Sequence, residues 1–207
     1  MNKKLFLALA LICFFSVTLG AQVFVHAGVG AIMSDQIWEP LELYGEPQGS
    51  GILDIFGASV AVNVLVAYGR NLVLFADETF GMPVYVTVNR YPYDTSRALM
   101  RMHMDTVIGV GAGLIALEQF RLVLGAGVHN HMFAVMSLDY ESSMPILPFG
   151  LTLGAGAVLF ADIGLDERTT FFIKASAAYD FLSIYGLYKN NGGLAGTLCA
   201  GVGIQLF

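Results

Sequence analysis

His129 and His131 stand two residues apart in an alternating run, so both imidazoles lie on one face of a strand. Paired neutral imidazoles bind transition metals, and near neutral pH they also carry protons. Asp105 is the carboxylate placed to join them. If 99–117 and 120–138 form a hairpin about a turn at 118–120, partner numbers sum to about 238. Asp105 then faces Phe133, with His131 on the diagonal at about 7–8 Å. Two imidazoles and one carboxylate are few ligands, and histidine also serves as a hydrogen-bonding filler of polar interiors. The three are read as interior lining, and no metal is assigned. Ser137, His103 and Asp139 have the residue types of a nucleophile, a base and an orienting acid near the rim of the same hairpin. No motif fixes them, and the chain is read as non-enzymatic. The glycine phrases GVGAG (109–113) and LGAG (124–127) lie inside strand-like runs with no helix after them. They therefore fail the context of a phosphate loop, and no cofactor is implied.

The elements that position these residues are strands of period two. In VIGVGAGLIA (107–116) the glycines Gly109, Gly111 and Gly113 alternate with Ile108, Val110, Ala112 and Leu114. Related phrases recur at 23–32, 122–128, 151–159 and 199–206. Eight strands are expected, at 22–33, 51–68, 72–89, 99–117, 120–138, 148–161, 169–187 and 194–207. Short turns at 69–71, 118–119 and 163–168 alternate with longer loops at 34–50, 90–98, 139–148 and 188–193. The alternation puts an apolar face outward and a glycine-rich, sparsely polar face inward. The inward set is His26, Arg101, His103, Asp105, Gly109, Gly111, Gly125, Gly127, His129, His131, Lys174 and Asp180, with Asp77 in the same phase. The charged members are expected to neutralise one another. The small ones leave either a narrow conduit or a flattened, closed lumen. Glu78 breaks the pattern by facing outward between Ala76 and Phe80, and with Pro83 nearby a bulge or kink near 78–83, or an edge above the bilayer, is expected.

Composition says where such a sheet belongs. Of 207 residues 56% are hydrophobic, only 13% are charged, 24 are glycine, and mean hydropathy is +0.68. That is membrane composition, yet beyond the N-terminus no run approaches the ~20 apolar residues of a spanning helix. Helices and closed barrels alone satisfy every backbone group in hydrocarbon, so the pattern predicts an eight-stranded antiparallel up-and-down transmembrane β-barrel in one domain, 21–207. Residues 1–20, with Lys3 and Lys4 ahead of an apolar run from Leu5 to Leu19, read as a cleaved signal peptide. Its removal takes the net charge from −6 to −8, which argues against nucleic acid as a partner. Cys199 alone survives cleavage, so the fold is not tied by an intrachain disulfide.

With its export signal, eight strands, glycine-alternating hairpins and terminal Phe207, the sequence resembles the small outer-membrane barrels of the OmpW, OmpX and OmpA-barrel type. In the GVGAG and LGAGV phrasing it is most similar to small barrels of spirochaetes such as treponemes. Gln205, Gly203 and Gly201 occupy positions that are apolar in the family's C-terminal assembly signal, so that likeness is partial. The resemblance implies outer-membrane lipid as the surroundings. It further implies either passage of small hydrophobic molecules or an anchoring or adhesive role toward host components. The small inward residues favour a narrow pore or binding barrel for largely apolar solutes, with a non-conducting surface protein acting through its loops as the alternative.

Overall fold

The computed structural model describes residues 21–40, 51–68, 71–88, 91–92, 98–117, 119–137, 150–186 and 188–206. The described elements are strands: β1 (Gln22–Pro40), β2 (Gly51–Tyr68), β3 (Leu72–Val88), β4 (Tyr91–Pro92), β5 (Ala98–Ala116), β6 (Phe120–Ser137), β7 (Gly150–Gly164), β8 (Thr169–Gly186) and β9 (Tyr188–Gln205). β4 is a two-residue pairing on the end of β3. The other eight each pair antiparallel with both neighbours, β1 with β9 and β2 with β3, so the sheet closes on itself and no wall strand is left as an edge.

Register fixes the shape of the interior. From His26 on β1 the paired row runs through Asn63, Asp77, Val107, His129, Gly154, Asp180 and Gly193, and returns to β1 at Gln36, ten residues beyond its start. That stagger, with eight strands, tilts the strands by about 40–45° and leaves an interior only wide enough for side chains. A horizontal layer of the lumen therefore draws on residues far apart in their own strands, which is how Gln36 comes to meet Asp180.

The expected facing holds along the described strands. Val29, Val60, Phe80, Ile108, Val110, Val128, Leu159, Ile173, Leu198 and Val202 are exposed on the outer wall, while His26, Leu65, Phe75, Val107, His129, Phe160 and Lys174 are buried inside. An outward belt of large apolar side chains around a closed sheet is the surface of a barrel in lipid. At 15–19 residues the wall strands exceed the 9–11 that the hydrocarbon needs, so they continue beyond it.

The structure corrects several boundaries. Residues Ser34–Pro40, expected in a loop, continue β1, and 188–193, also expected in a loop, begin β9 and pair with it. β7 runs on to Gly164. The alternation persists through these segments with polar residues, Ser34 and Gln36, in the inward phase; a polar lumen takes them without ending the strand. The β1–β9 pairing shifts at Ile37/Trp38, and there Gly192 adopts φ 128°, a conformation that favours glycine. The bulge expected near 78–83 lies just beyond, where Gly57 pairs with Pro83 and Phe56 with Tyr85; Val84 and Tyr85 both stay exposed. In the β5–β6 hairpin the pairs next to the turn sum to 237 and a shift between Gly113 and Ile115 takes them to 236, two below the expected 238: Asp105 pairs directly with His131, and Phe133 faces His103. Glu118 of that turn, Phe207 and residues 1–20 lie outside the described residues.

Candidate functional site: the filled lumen

Inside the barrel, buried polar side chains form two hydrogen-bonded groups, one around His129 and one around Lys174. His129, on β6, hydrogen-bonds through both ring nitrogens: Nδ1 lies 2.7 Å from Asp180 Oδ1 and Nε2 lies 2.9 Å from Asp105 Oδ2. An imidazole bridging two carboxylates in this way donates twice and is a cation when both are ionised. Asp180 also receives His131 Nδ1 at 3.2 Å and the Gln36 amide at 3.1 Å. His103 lies tilted against His131 with ring centroids 4.5 Å apart, and neither of its nitrogens has a hydrogen-bond partner among the described residues. Lys174 reaches across from β8 and donates to Asp77 Oδ1 at 2.6 Å and to Thr79 Oγ1 at 2.7 Å. Asn63, with its amide nitrogen turned inward, donates to the same Asp77 oxygen. Each of the three buried carboxylates thus meets a nitrogen of a basic side chain, Asp77 that of Lys174, Asp105 that of His129, and Asp180 those of His129 and His131, which is the condition for charges to persist at full burial.

Toward the turn end this layer gives way to an apolar one of Phe24, Leu65, Ala67, Val73, Phe75, Val107, Val123, Val158 and Phe160. Phe75 and Phe160 meet edge to face at 5.7 Å. Below it sits a second ion cluster. Arg121 donates through Nε (3.0 Å) and Nη2 to Asp162, and its guanidinium lies 3.5 Å over the Phe24 ring. His26 Nε2 is 3.1 Å from the other Asp162 oxygen, within ion-pair reach but out of line for a hydrogen bond. Outside this cluster the turn end opens as a cup of about 880 Å³, bordered by Phe24, Arg121, Asp162, Glu167, Arg168 and Thr170.

The inward glycines have a definite role. A Cβ at Gly125 would strike the Phe75 ring, one at Gly28 the Phe172 ring, and one at Gly203 the His26 ring. Gly109 and Gly127 pair across β5 and β6 so closely that a Cβ on either would run into the opposing backbone; Gly111 faces Gly125 in the same seam. Space left by glycine on one wall is thus filled by a ring from another or by the approach of the neighbouring strand.

Of the expected lining residues, His103, Asp105, His129, His131, Lys174 and Asp180 come together, while His26 belongs to the separate Arg121–Asp162 cluster. Arg101 pairs with Val135 through the backbone, but its side chain lies outside the described residues, as do those of Ser137 and Asp139. His103 is sealed in the lumen rather than at a rim. Among the described residues no group of three or more His, Cys, Asp or Glu is arranged to hold a metal ion. Gln36, Asn63, Thr79 and Asp162 are members that the sequence reading missed. Gln36 and Asp162 fell just beyond the assigned strand ends, and carrying the two-residue period further would have found them.

A closed eight-stranded sheet with an apolar outer wall and a packed polar lumen is the fold of small outer-membrane barrels, and solved structures agree. No protein-family model and no curated protein matches the sequence. Among solved structures the chain is similar to neisserial surface protein A, NspA, with TM-score 0.56 and 17% identity over 90% of this chain and 99% of that one. It is similar to the outer membrane protein OprG from Pseudomonas aeruginosa, with TM-score 0.60 and 13% identity over 90% and 96%. It is also similar to the outer membrane protein AlkL, with TM-score 0.55 and 9% identity over 90% of each. At these identities the likeness concerns the fold.

Proposed function

We propose that the chain is an exported integral protein of a diderm outer membrane, cleaved after residue 20, whose barrel is sealed along its axis. It serves as a rigid, non-enzymatic scaffold that holds its long-loop end at the cell surface. The observation that carries this reading is the stacking of an apolar layer between two buried ion clusters, with every flanking ring seated over a glycine or against another ring. The narrow-pore reading needs the glycine faces to be empty, and the rings of Phe75, Phe172 and His26 weigh against it. Loops around 41–50, 90–98 and 139–148 are the surfaces through which host components would be met. A solute-binding barrel is favoured by one feature, the cup over Arg121 and Phe24, where an amphiphile with an anionic head would find a cation and an aromatic floor.

Two measurements on cells test the proposal. A short epitope inserted within 141–147 is expected to be labelled by antibody on intact cells, while a tag after 207 is labelled only after permeabilisation. Uptake of a small apolar dye is expected to match that of cells lacking the protein. Dye uptake that rises with expression and falls on Arg121→Leu would favour the solute reading instead.

A further inference from the structure

Sulfur is concentrated on one part of the outer wall. Of the chain's nine methionines, four fall on one face of three adjacent strands, Met82 on β3, Met102 and Met104 on β5, and Met132 on β6. Met104 pairs directly with Met132, and Met102 follows two residues along β5 on the same face. β3 pairs with β5 as far as Gly81 and His103, so Met82 and Met102 stand where that ladder ends. The methionines of β5 and β6 alternate with the buried, inward His103, Asp105, His131 and Phe133 and are themselves half-buried, while Met82 is 63% exposed. Met100 and Met136 pair through the backbone two residues nearer the loops, and their side chains lie outside the described residues.

Lipid contact alone does not call for sulfur. Around the rest of the belt that task falls to side chains such as Val29, Val60, Ile108, Leu159 and Ile173. A thioether differs from these in carrying a polarisable lone pair, with no charge, on a chain of three rotatable bonds. Soft Cu(I) takes such donors, whereas magnesium, calcium and manganese take oxygen. Residues directly opposed across a ladder hold their Cβ atoms about 4.5–5.5 Å apart, so the side chains of Met104 and Met132 can close on one ion. The patch lies toward the long-loop end, where β5 begins at Ala98 and β6 ends at Ser137. An ion arriving from water at that end meets it without passing the packed lumen. We propose that Met82, Met102, Met104 and Met132 form a thioether site for a soft monovalent cation, Cu(I), for which Ag(I) is the redox-stable counterpart. Met104 and Met132 hold the ion across the β5–β6 ladder, Met102 adds a third sulfur from the same strand, and Met82 closes the side toward β3. The inference goes beyond the scaffold reading and shares with it only the placement of the belt in lipid.

The test uses the full chain purified folded from membranes, with silver nitrate as the probe and with Cys13→Ala and Cys199→Ala in every sample, so that no thiol competes. A heat-shifted gel band establishes folding independently of metal. With methionine methyls labelled with carbon-13, one equivalent of Ag(I) is expected to shift the signals of Met82, Met102, Met104 and Met132. Met33, exposed on β1, should stay in place, and single leucine variants assign the signals. Silver retained after desalting should be one per barrel. It should fall to background when Met102→Leu, Met104→Leu and Met132→Leu are combined, and be unchanged in Met33→Leu. Leucine replaces methionine at little cost, so loss of silver with the heat-shifted band intact is not a folding defect. Should the triple variant not fold, the methyl shifts of the parent chain decide. Binding should persist at about pH 5, where imidazoles are protonated and thioethers are unchanged. The proposal is overturned if the folded parent retains no silver, if the triple leucine variant retains it, or if Met33 shifts with the other four. Loss of silver at about pH 5 would also overturn it, assigning the ion to histidine.

Discussion

Lys174 illustrates what a buried charge does in this lumen. Its ammonium has no access to water and is held by Asp77 and Thr79, with Asn63 completing the Asp77 side. Such a pair adds little over an apolar pair of the same volume, but breaking it leaves a bare charge. Lys174→Met is therefore expected to lower unfolding stability by about 3–5 kcal/mol. Lys174→Met with Asp77→Leu should recover most of that loss, as read from urea unfolding of the refolded barrel in detergent or lipid. Equal losses in single and double variants would mean that the site acts through packing alone. The inward phase of Lys174, Asp77, Asp105, His129 and Asp180 was legible in the sequence because period two sorts residues by face without any knowledge of neighbours. That Asp180 would receive His129, His131 and Gln36 together was not legible. It depends on a ten-residue stagger that no single strand records.

At the scale of strands and turns, the glycine seam between β5 and β6 decides how close two backbones come. A Cβ at Gly127 would meet the Ile108 carbonyl and the Gly109 Cα, which cannot move without the ladder. At Gly156 it would meet only the Val107 methyls and the Ala178 side chain, at 3.2–3.3 Å. Gly127→Ala should sharply reduce the heat-shifted folded fraction, and Gly156→Ala should leave most of it; similar yields would contradict this account of the seam. The turn between β7 and β8 is governed by Asp166, whose Oδ1 accepts the N–H of Arg168 at 2.8 Å and of Thr169 at 2.7 Å. Those backbone donors, Arg168 first, hold its carboxyl below the ordinary carboxylate value. With the folded value depressed, the turn's contribution is full above about pH 4 and is lost as pH falls through the folded value. The stability gap between wild type and Asp166→Ala should accordingly be present at neutral pH and close in strong acid, and a gap that widened in acid would reverse the sign. The sequence identified the turn but placed the β7 end at 161, because Asp162 looked like a loop residue when it is an inward partner of Arg121 and His26.

For the whole molecule, the same small inward residues allowed an open conduit or a closed one, and the choice between them was not legible. Which ring covers which glycine follows from the closure of β2 on β3 and β1 on β9, a property of the complete sheet. With that closure the lumen holds charge, apolar and charge layers in sequence, with a cup at the turn end. The most direct measurement of the seal is single-channel conductance of refolded residues 21–207 in planar bilayers, beside a variant in which Phe75 and Phe160 are both alanine. The wild type is expected to be silent with its heat-shifted band intact, and the variant, where folded, to show small discrete steps. Steady discrete steps from the folded wild type would contradict the sealed lumen.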